Sequence, residues 1–461
     1  MSIEARRPGL DPREVLILPT FTPDSAAALA GPSWLCRRRT DAAEAFADAP
    51  LPTEKDEVWR YSRIDRLELD RFRPAGTVHT GDDPGPSPSD RIHSLVDGLG
   101  PRSGLVVTIN GVLATLASTV GDDVISLGRA VDHLEGAVLL GAVLSDPHDF
   151  PLLNDAFAPD PVVIDVQEST VTPDPVIVVH VVTGASGEAV FPRTVVRAGG
   201  GSTASVIEIV VDAESGLLVG SRSDLLPTPG SPTERLVVPV TELAVGDGAT
   251  LSYVSIQSLG SGTWQLAHQA STIGSDATLS SFAVALGGTY ARLRTDSALV
   301  GESGTSSLRA AFFGRDDQML DFRTLQDHRA PRTTSDLLFM GAVADTSHSV
   351  YSGLIRVRRG AVKSDAVQTN HNLVLDEGAH ADSVPNLDIE ENDVKCSHGS
   401  TVGPVDEDQR YYLESRGVEP ERAEQLIVAG FFQSIADQVP VPGARDLVAG
   451  ALRARTGGSR G

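Results

Sequence analysis

The stretch Gly246-Asp-Gly-Ala-Thr-Leu-Ser-Tyr-Val-Ser-Ile-Gln-Ser-Leu-Gly260-Ser-Gly-Thr-Trp-Gln-Leu-Ala-His-Gln-Ala-Ser-Thr-Ile-Gly274 decides the fold. Its glycine spacing of about 14 residues continues through 287 or 288, 301 and 314. Between these glycines lie β-branched or alternating segments that are typical of strands: Leu251–Ile256, Trp264–Ala270, Thr278–Val284, Tyr290–Leu299 and Ser306–Phe312. Strands and turns at a near-constant spacing predict a solenoid in which two steps form one coil.

No helical pattern interrupts this repeat, so a parallel β-helix fits better than a doubly wound sheet. An antiparallel sandwich with regularly spaced hairpins is the alternative on pattern alone. Strand-like runs bounded by Gly, Pro and Asp also occur upstream, at Leu105–Ile109, Val162–Val166, Val176–Val182 and Ser205–Val211.

Helical patterns flank the strands on both sides. Residues 1 to about 73 are predicted to be mostly helical, including the start of Glu54–Phe72. After Gly403, Asp406 can cap a helix that runs to Arg416, and two further helices are predicted from Pro420 and over Ala444–Arg455. Proline-rich breaks at His79–Ser89 and Ser223–Glu234 are predicted to be loops. We therefore divide the chain into a helical region at 1–100 with a disordered linker at 75–91, a β-helix core at 101–403 and a helical domain at 404–461.

Composition excludes several classes of protein. The 62 acidic against 38 basic residues give a formal charge of −24, which repels phosphate backbones and argues against nucleic-acid binding. The longest apolar stretch, near Ala137–Leu144, is far shorter than the roughly 20 residues that span a bilayer. With no hydrophobic signal segment at the N-terminus, the sequence predicts a cytoplasmic protein without a membrane partner. Two cysteines, Cys36 and Cys396, exclude a disulfide framework and cannot supply four thiolates to a cluster.

One short motif carries candidate chemistry. Cys396 and His398 lie two residues apart, so on a strand they share a face with Cα atoms roughly 6–7 Å apart. A thiolate and an imidazole on one face can share a soft metal or the edge of a cluster, with further ligands from elsewhere. Lys395 would favour the thiolate, whereas Glu390, Glu391 and Asp393 would oppose it. A buried structural cysteine beside a turn histidine is the alternative that spacing leaves open.

Other motifs are missing or diffuse. The sequence has no phosphate-binding loop for ATP and no nucleophile elbow. Five of the 11 histidines fall between His328 and His398. Because a β-helix stacks distant sequence into neighbouring rungs, some of them could converge, although surface and turn positions are the commoner outcome.

Three segments together resemble one family. The run Pro385-Asn-Leu-Asp-Ile-Glu-Glu-Asn-Asp-Val-Lys-Cys-Ser-His-Gly-Ser-Thr-Val-Gly403, the helix Tyr411-Tyr-Leu-Glu-Ser-Arg-Gly417 and the element Glu57-Val-Trp-Arg-Tyr-Ser62 are similar to signatures of the SufB/SufD family. Further matches occur at His328-Arg-Ala-Pro331, Ser352–Val357 and Gln368-Thr-Asn370, so the specific resemblance spans about 325–435. The Cys-Ser-His-Gly version of the motif, and the absence of the several cysteines of many SufB chains, point to the SufD form.

The resemblance implies a mainly β protein with a central right-handed parallel β-helix, flanked by N-terminal and C-terminal α-helical segments. It implies a non-catalytic scaffold for iron–sulfur cluster assembly that forms a heterodimer with SufB, or a homodimer in isolation. His398 and Cys396 would hold a transient cluster shared with SufB, and a flavin binds the complex of some members. The ATPase SufC would dock on the C-terminal helices, where the partner-binding residues are expected to be Tyr411, Tyr412, Arg416, Gly417, Phe431 and Phe432.

Two alternatives belong to other classes. The first is a purely structural partner of SufB in which Cys396 and His398 are merely packed. The second is a β-helix enzyme acting on carbohydrates, which the aromatic content of 5% disfavours because such enzymes often use aromatic platforms for sugars.

Overall fold

A computed structural model describes residues 20–76, 88–212, 214, 215, 217 and 233–456 of the chain. Strands dominate these residues, and most lie between 104 and 403. In chain order they are β1 (Arg73–Pro74), β2 (Gly104–Ile109), β3 (Val112–Ser118), β4 (Ile125–Arg129), β5 (Val162–Val166), β6 (Val176–Val182), β7 (Glu188–Val190), β8 (Arg193–Ala198), β9 (Thr203–Asp212), β10 (Arg235–Val237), β11 (Val240–Val245), β12 (Thr250–Ser258), β13 (Thr263–Ile273), β14 (Thr278–Ala285), β15 (Tyr290–Leu299), β16 (Thr305–Gly314), β17 (Met319–His328), β18 (Thr334–Val343), β19 (His348–Val357), β20 (Asp365–Val374), β21 (His380–Ile389) and β22 (Lys395–Gly403).

Successive strands alternate between two sheets. From β11 onward the odd-numbered strands stack in the first sheet, ending β17-β19-β21, and the even-numbered strands stack in the second sheet, ending β18-β20-β22. All pairs from β11 to β22 are parallel, and the solenoid has about eight coils. The predicted β-helix is therefore confirmed, and the antiparallel sandwich is wrong. Antiparallel pairing occurs at the other end of the solenoid, in β2–β3 and β4–β5.

The repeating glycines mark places where one coil touches the next. A Cβ at Gly301 would lie 1.9 Å from the backbone nitrogen of Ser275, and one at Gly274 would lie 2.9 Å from the backbone nitrogen of Asp247. Neither distance allows a side chain. The spacing that reveals the fold is thus caused by backbone contact at stacked corners.

Alternate residues of each strand point into the solenoid. In β20 these inward positions are Ala366, Gln368, Asn370 and Asn372, and each is at most 3% exposed. In β19 they include Tyr351, Ile355 and Val357, which are also buried. Side chains alternate between faces along a strand, so pairing in register stacks the inward positions into columns that run along the solenoid.

Helices flank the solenoid. They are α1 (Pro23–Ala27), α2 (Ser33–Asp48), α3 (Pro88–Gly98), α4 (Gly136–Leu139), α5 (Phe150–Phe157), α6 (Glu407–Ser415), α7 (Pro420–Ala436) and α8 (Pro442–Thr456). Apolar residues of α3, α7 and α8 share one core cluster with Phe313 and Ala342 of the second sheet. The flanking helical segments are therefore confirmed. None of the helices in the described part of the chain is long and apolar enough to cross a membrane.

The helix predicted at the start of Glu54–Phe72 is wrong. This segment contains only three single-turn 3-10 helices, at Glu57–Trp59, Ile64–Arg66 and Leu69–Arg71. Tyr61 has a φ of 64°, which an α-helix cannot contain. The apolar side chains that suggested a helix instead fill a core against the first sheet, because Trp59, Ile64 and Leu69 are all buried.

Two predicted loops fall mostly outside the described residues. Residues 77–87 of the linker, and nearly all of Ser223–Glu234, belong to the part of the chain that the structure does not describe. The linker prediction is wrong at 88–91, because α3 begins at Pro88. Proline is compatible with the first turn of a helix, so its presence there does not signal a loop.

The element Glu57-Val-Trp-Arg-Tyr-Ser62 docks the N-terminal segment onto the middle coils. Arg292 lies over the Trp59 ring at 3.7 Å and donates to the Val58 carbonyl at 2.8 Å. Arg323 donates to the Arg60 carbonyl at 2.7 Å. Both guanidinium groups bind the buried carboxylate of Asp321. This sequence element therefore has a structural role.

Candidate functional site at the open end of the solenoid

The C-terminal coil of the solenoid is open. β21 ends the first sheet and β22 ends the second sheet, so each of them pairs laterally with one strand, β19 or β20. We call the surface formed by β21 and β22 the open end. An unpaired strand edge exposes backbone donors and acceptors that invite another strand.

Cys396 and His398 occupy inward positions of this last coil. In register, Cys396 lies beside Ala366 and His398 lies beside Gln368, and both neighbours are completely buried. Cys396 is half-buried and His398 is exposed, because none of the described residues forms a further coil over them. The shared face predicted from the spacing is therefore present, and the alternative of a fully buried cysteine is not.

Apolar side chains surround the motif at the open end. Leu387, Ile389 and Val402 also follow inward columns, and they are 37%, 42% and 43% exposed. Their counterparts one coil earlier, Ile355, Val357 and Asn372, are buried. Residues suited to an interior thus form an exposed apolar surface at the open end.

The thiol of Cys396 is not activated within this chain. Burial, followed by the nearby carboxylate of Asp365, raises its pKa above the usual value. The sequence argument that Lys395 would favour the thiolate is wrong, because Lys395 lies on the opposite, outward face of β22, where its register partner is Asp365. A metal ligand from Cys396 must therefore lose its proton when the metal arrives.

Sequence reasoning missed a polar group beneath the motif. Gln368 is fully buried, and neither its amide nitrogen nor its amide oxygen has a hydrogen-bond partner among the described residues. It is the register neighbour of His398, so the two backbones are roughly 4.8 Å apart. Such unsatisfied buried amides are rare and usually contact water or a ligand. The signal that could have found Gln368 is its place in the solenoid repeat.

His328 has a purely structural environment. Both ring nitrogens lie 2.8 Å from hydroxyl groups, those of Thr333 and Ser335, and the ring is completely buried. Burial lowers its pKa to about 4, and Asp327 and Asp365 act weakly in the opposite direction. The side chain is therefore a neutral core residue at pH 7.

The C-terminal helices divide into a packed part and an exposed part. In α7, Phe432 is 3% exposed and its ring lies 5.8 Å from that of Phe313. Phe432 therefore cannot contact a partner while α7 is packed. This corrects the prediction that Phe432 is a partner-binding residue. Phe431 is half-buried with its ring edge against Phe432.

The exposed part is α6, which buries none of its residues. Tyr411 and Tyr412 are 72% and 58% exposed, and the guanidinium of Arg416 lies 5.1 Å from the centre of the Tyr412 ring. Asp406 caps the helix by accepting from the amides of Asp408 and Gln409, and Gly417 ends it with a φ of 85°. The predicted partner-binding residues of this segment are therefore on the surface.

Comparison with known proteins identifies the family of this chain. A family model described as the SufBD core domain of the SUF system for FeS cluster assembly matches residues 180–431, more than half of the chain. The chain belongs to the SufBD family. The matched range includes the later coils, the open end, α6 and most of α7, so the family model covers the site described above.

Individual relatives refine this assignment within the SufBD family. SufD, an iron–sulfur cluster assembly protein of Escherichia coli, is 27% identical over 89% of this chain and 90% of its own length. SufD of Bacillus subtilis is 24% identical over 90% of this chain and 92% of its own length. The chain is therefore SufD-like along nearly its full length, as predicted from the Cys396–His398 motif.

A SufBD family protein of Mycobacterium tuberculosis, also named for iron–sulfur cluster assembly, is 36% identical over 219 residues. That match covers 46% of this chain and 55% of the relative, so the chain spans about half the length of this mycobacterial relative.

Proposed function

We propose that this chain is a SufD-like scaffold subunit in iron–sulfur cluster assembly, which pairs through its open end with SufB and works with the ATPase SufC. The observation that carries the proposal is the exposure of Cys396 and His398 at inward positions of the last coil. At these positions a second protein can complete both the strand pairing and the ligand set.

The open end has two properties of a pairing surface. β21 and β22 offer unpaired edges, and Leu387, Ile389 and Val402 supply apolar area beside them. Burying such side chains contributes on the order of 25 cal/mol per Å² of apolar surface. Backbone pairing would fix the register of the partner strand, and the apolar contacts would supply affinity.

The cluster in this proposal is cargo held between two proteins. Cys396 offers one sulfur and His398 one imidazole nitrogen, whereas a cluster normally takes four protein ligands. The remaining ligands must come from the partner. Because the pKa of Cys396 is raised, its thiol must lose a proton in order to bind iron.

The test compares His398→Ala with Ser400→Ala in co-expressed complexes. Ser400 lies two residues further along β22, on the same exposed inward face, and is a matched control. We expect His398→Ala to keep capture of SufB, because one imidazole contributes little to a large interface. The same variant should reduce cluster content at least about tenfold, because it removes a proposed ligand. Ser400→Ala should retain most of the cluster, and Cys396→Ser should show a milder loss than His398→Ala. Normal iron and sulfide content in His398→Ala would leave only the structural-partner role.

The docking of SufC requires a different test. Removing the helices after Gly403 would uncover Phe313 and Ala342, so loss of binding after that truncation would not locate the site. The double variant Tyr411→Ala with Tyr412→Ala removes exposed rings without touching the core. We expect it to weaken SufC capture at least about tenfold, whereas Gln409→Ala on the same helix should bind normally. Unchanged capture by the double variant would place the ATPase elsewhere.

A further inference from the structure

Two histidines and an aspartate converge on the outer face of the last two rungs of the first sheet. His348 begins β19 and His380 begins β21, and the two are register partners. Asp382 is two residues beyond His380 and therefore lies on the same face of β21. The three residues are brought together only by the stacking of coils.

Their donor atoms are spaced as metal ligands are. His348 Nε2 lies 2.8 Å from Asp382 Oδ2, and His380 Nε2 lies 3.2 Å from Asp382 Oδ1. One donor atom from each residue can be chosen so that all three lie within 4.8 Å of one another. Two ligands that each sit about 2.1 Å from one ion are roughly 3.0 Å apart at octahedral angles and roughly 3.4 Å apart at tetrahedral angles. Small side-chain rotations therefore suffice to place all three around one ion.

We propose that His348, His380 and Asp382 bind one divalent first-row transition-metal ion, of the Zn²⁺ or Fe²⁺ class. Two imidazoles with one carboxylate suit these ions, whereas Mg²⁺ and Ca²⁺ prefer oxygen ligands. Three protein ligands leave at least one coordination position open to water or another ligand. Among the described residues, this is the group of three or more potential ligands with such spacing.

This site is separate from the Cys396–His398 motif. His380 lies at the start of β21, whereas the motif follows the far end of that strand, roughly 30 Å of extended chain away. The three ligands face outward, whereas Cys396 and His398 face inward. The proposal therefore stands or falls independently of the proposed Suf function.

A bound ion would tie the last rung to the rung before it. Within the described residues β21 has a neighbouring strand on one side only, so its residues can open locally without disrupting a second strand. His348 supplies a ligand from β19, and His380 with Asp382 supplies two from β21. An ion that binds only this folded arrangement stabilises it by mass action, so metal should slow local opening of β21.

Arg63 is the cation that acts on this cluster from the N-terminal segment. Its Nη1 donates to the Asp317 carbonyl at 2.5 Å. Without metal, the same three residues form two histidine–carboxylate hydrogen bonds, and the experiment must distinguish this arrangement from a metal site.

The test uses the full chain without a histidine tag, stripped with a chelator and titrated with Zn²⁺ or Co²⁺ alone. We expect one ion per chain, with a visible absorption band for Co²⁺. His380→Gln and Asp382→Asn should each weaken binding at least about tenfold. His371→Gln is the matched control, because His371 lies on the outward face of β20 in the other sheet and should leave binding unchanged.

Hydrogen exchange supplies the second measurement. Zn²⁺ should slow amide exchange within β21 in the native chain but not in Asp382→Asn, while both proteins keep the same circular dichroism. Failure of the native chain to bind one ion would overturn the site, as would binding by His380→Gln and Asp382→Asn that is as tight as binding by the native chain. If the site binds one ion, anaerobic competition by Fe²⁺ compares its affinity with that of Zn²⁺.

Discussion

Strands β20 and β22 are neighbours in register, yet they have opposite environments. Ala366, Gln368 and Asn370 of β20 are completely buried, whereas His398 and Ser400 at the equivalent positions of β22 are exposed. The local conformation of the two strands is the same. The difference arises because β20 is covered by another coil and β22 is not. The end of a repeat fold thus exposes the residues at its last inward positions.

The same comparison can be made on the outward face with two rung-to-rung ion pairs. Arg292 Nη1 lies 2.7 Å from Asp321 Oδ2 in the middle coils, and Arg356 Nε lies 2.9 Å from Asp388 Oδ2 at the open end. Each is an arginine and an aspartate in direct register. The first pair is buried under the N-terminal segment, and the second is substantially exposed.

We expect the largest difference in stability when these two carboxylates are neutralised. Burial acts to raise the pKa of Asp321, but Arg292 and then Arg323 outweigh it and hold the pKa below its usual value. Asp321→Asn leaves two buried guanidinium groups uncompensated and should cost about 3–5 kcal/mol of unfolding free energy. Asp388→Asn should cost less than about 1 kcal/mol. Denaturant unfolding followed by tryptophan fluorescence measures both, and equal losses would refute the contrast between covered and open coils.

Glycine substitutions should change the unfolding free energy somewhat less than Asp321→Asn does. A Cβ at Gly301 would overlap the backbone of Ser275, whereas a Cβ at Gly399 in the last coil would meet nothing within 4 Å. Gly301→Ala should therefore destabilise the chain by about 3 kcal/mol, at the upper end of typical overpacking costs. Gly399→Ala should stay within about 0.5 kcal/mol of the native chain. Thermal and denaturant unfolding of the two variants decide this, and a tolerant Gly301 would mean that neighbouring coils can separate locally.

The third and smallest expected change in unfolding free energy comes from pH, through the protonation of His328. His328 occupies the inward column that continues through Val357 to Ile389, two coils before the open end. Its pKa of about 4 in the folded chain lies below the ordinary value of about 6.5, so the unfolded chain binds the extra proton first. Stability should therefore fall as pH falls through this window, by about 2 kcal/mol between about pH 7 and pH 5.

The variant His328→Gln should remove this part of the pH dependence, since glutamine keeps a polar contact but does not titrate. The comparison is the slope of unfolding free energy against pH for the native chain and the variant. Identical slopes between about pH 5 and pH 7 would show that the buried ring does not control acid sensitivity.

Periodicity alone predicted much of this protein. Tyr290–Leu299, Val162–Val166 and Val176–Val182 are strands with the predicted ends, and Asp406 and Gly417 bound α6 as their residue types require. The shared face of Cys396 and His398 also followed from spacing. These features are local: side-chain alternation, turn glycines and helix caps depend on residues a few positions apart.

Tertiary structure decided the rest, because it depends on which coil lies beside which. Stacking brings His348, His380 and Asp382 together across about 30 residues of sequence, and it places Gln368 beneath His398. Burial against the first sheet holds Glu57–Trp59 in a single 3-10 turn although the surrounding sequence is patterned like an α-helix, and contact with Phe313 hides Phe432. The sequence by itself determined the repeat and its motif. Only the stacked structure determined which inward positions remain open, because exposure depends on whether another coil follows.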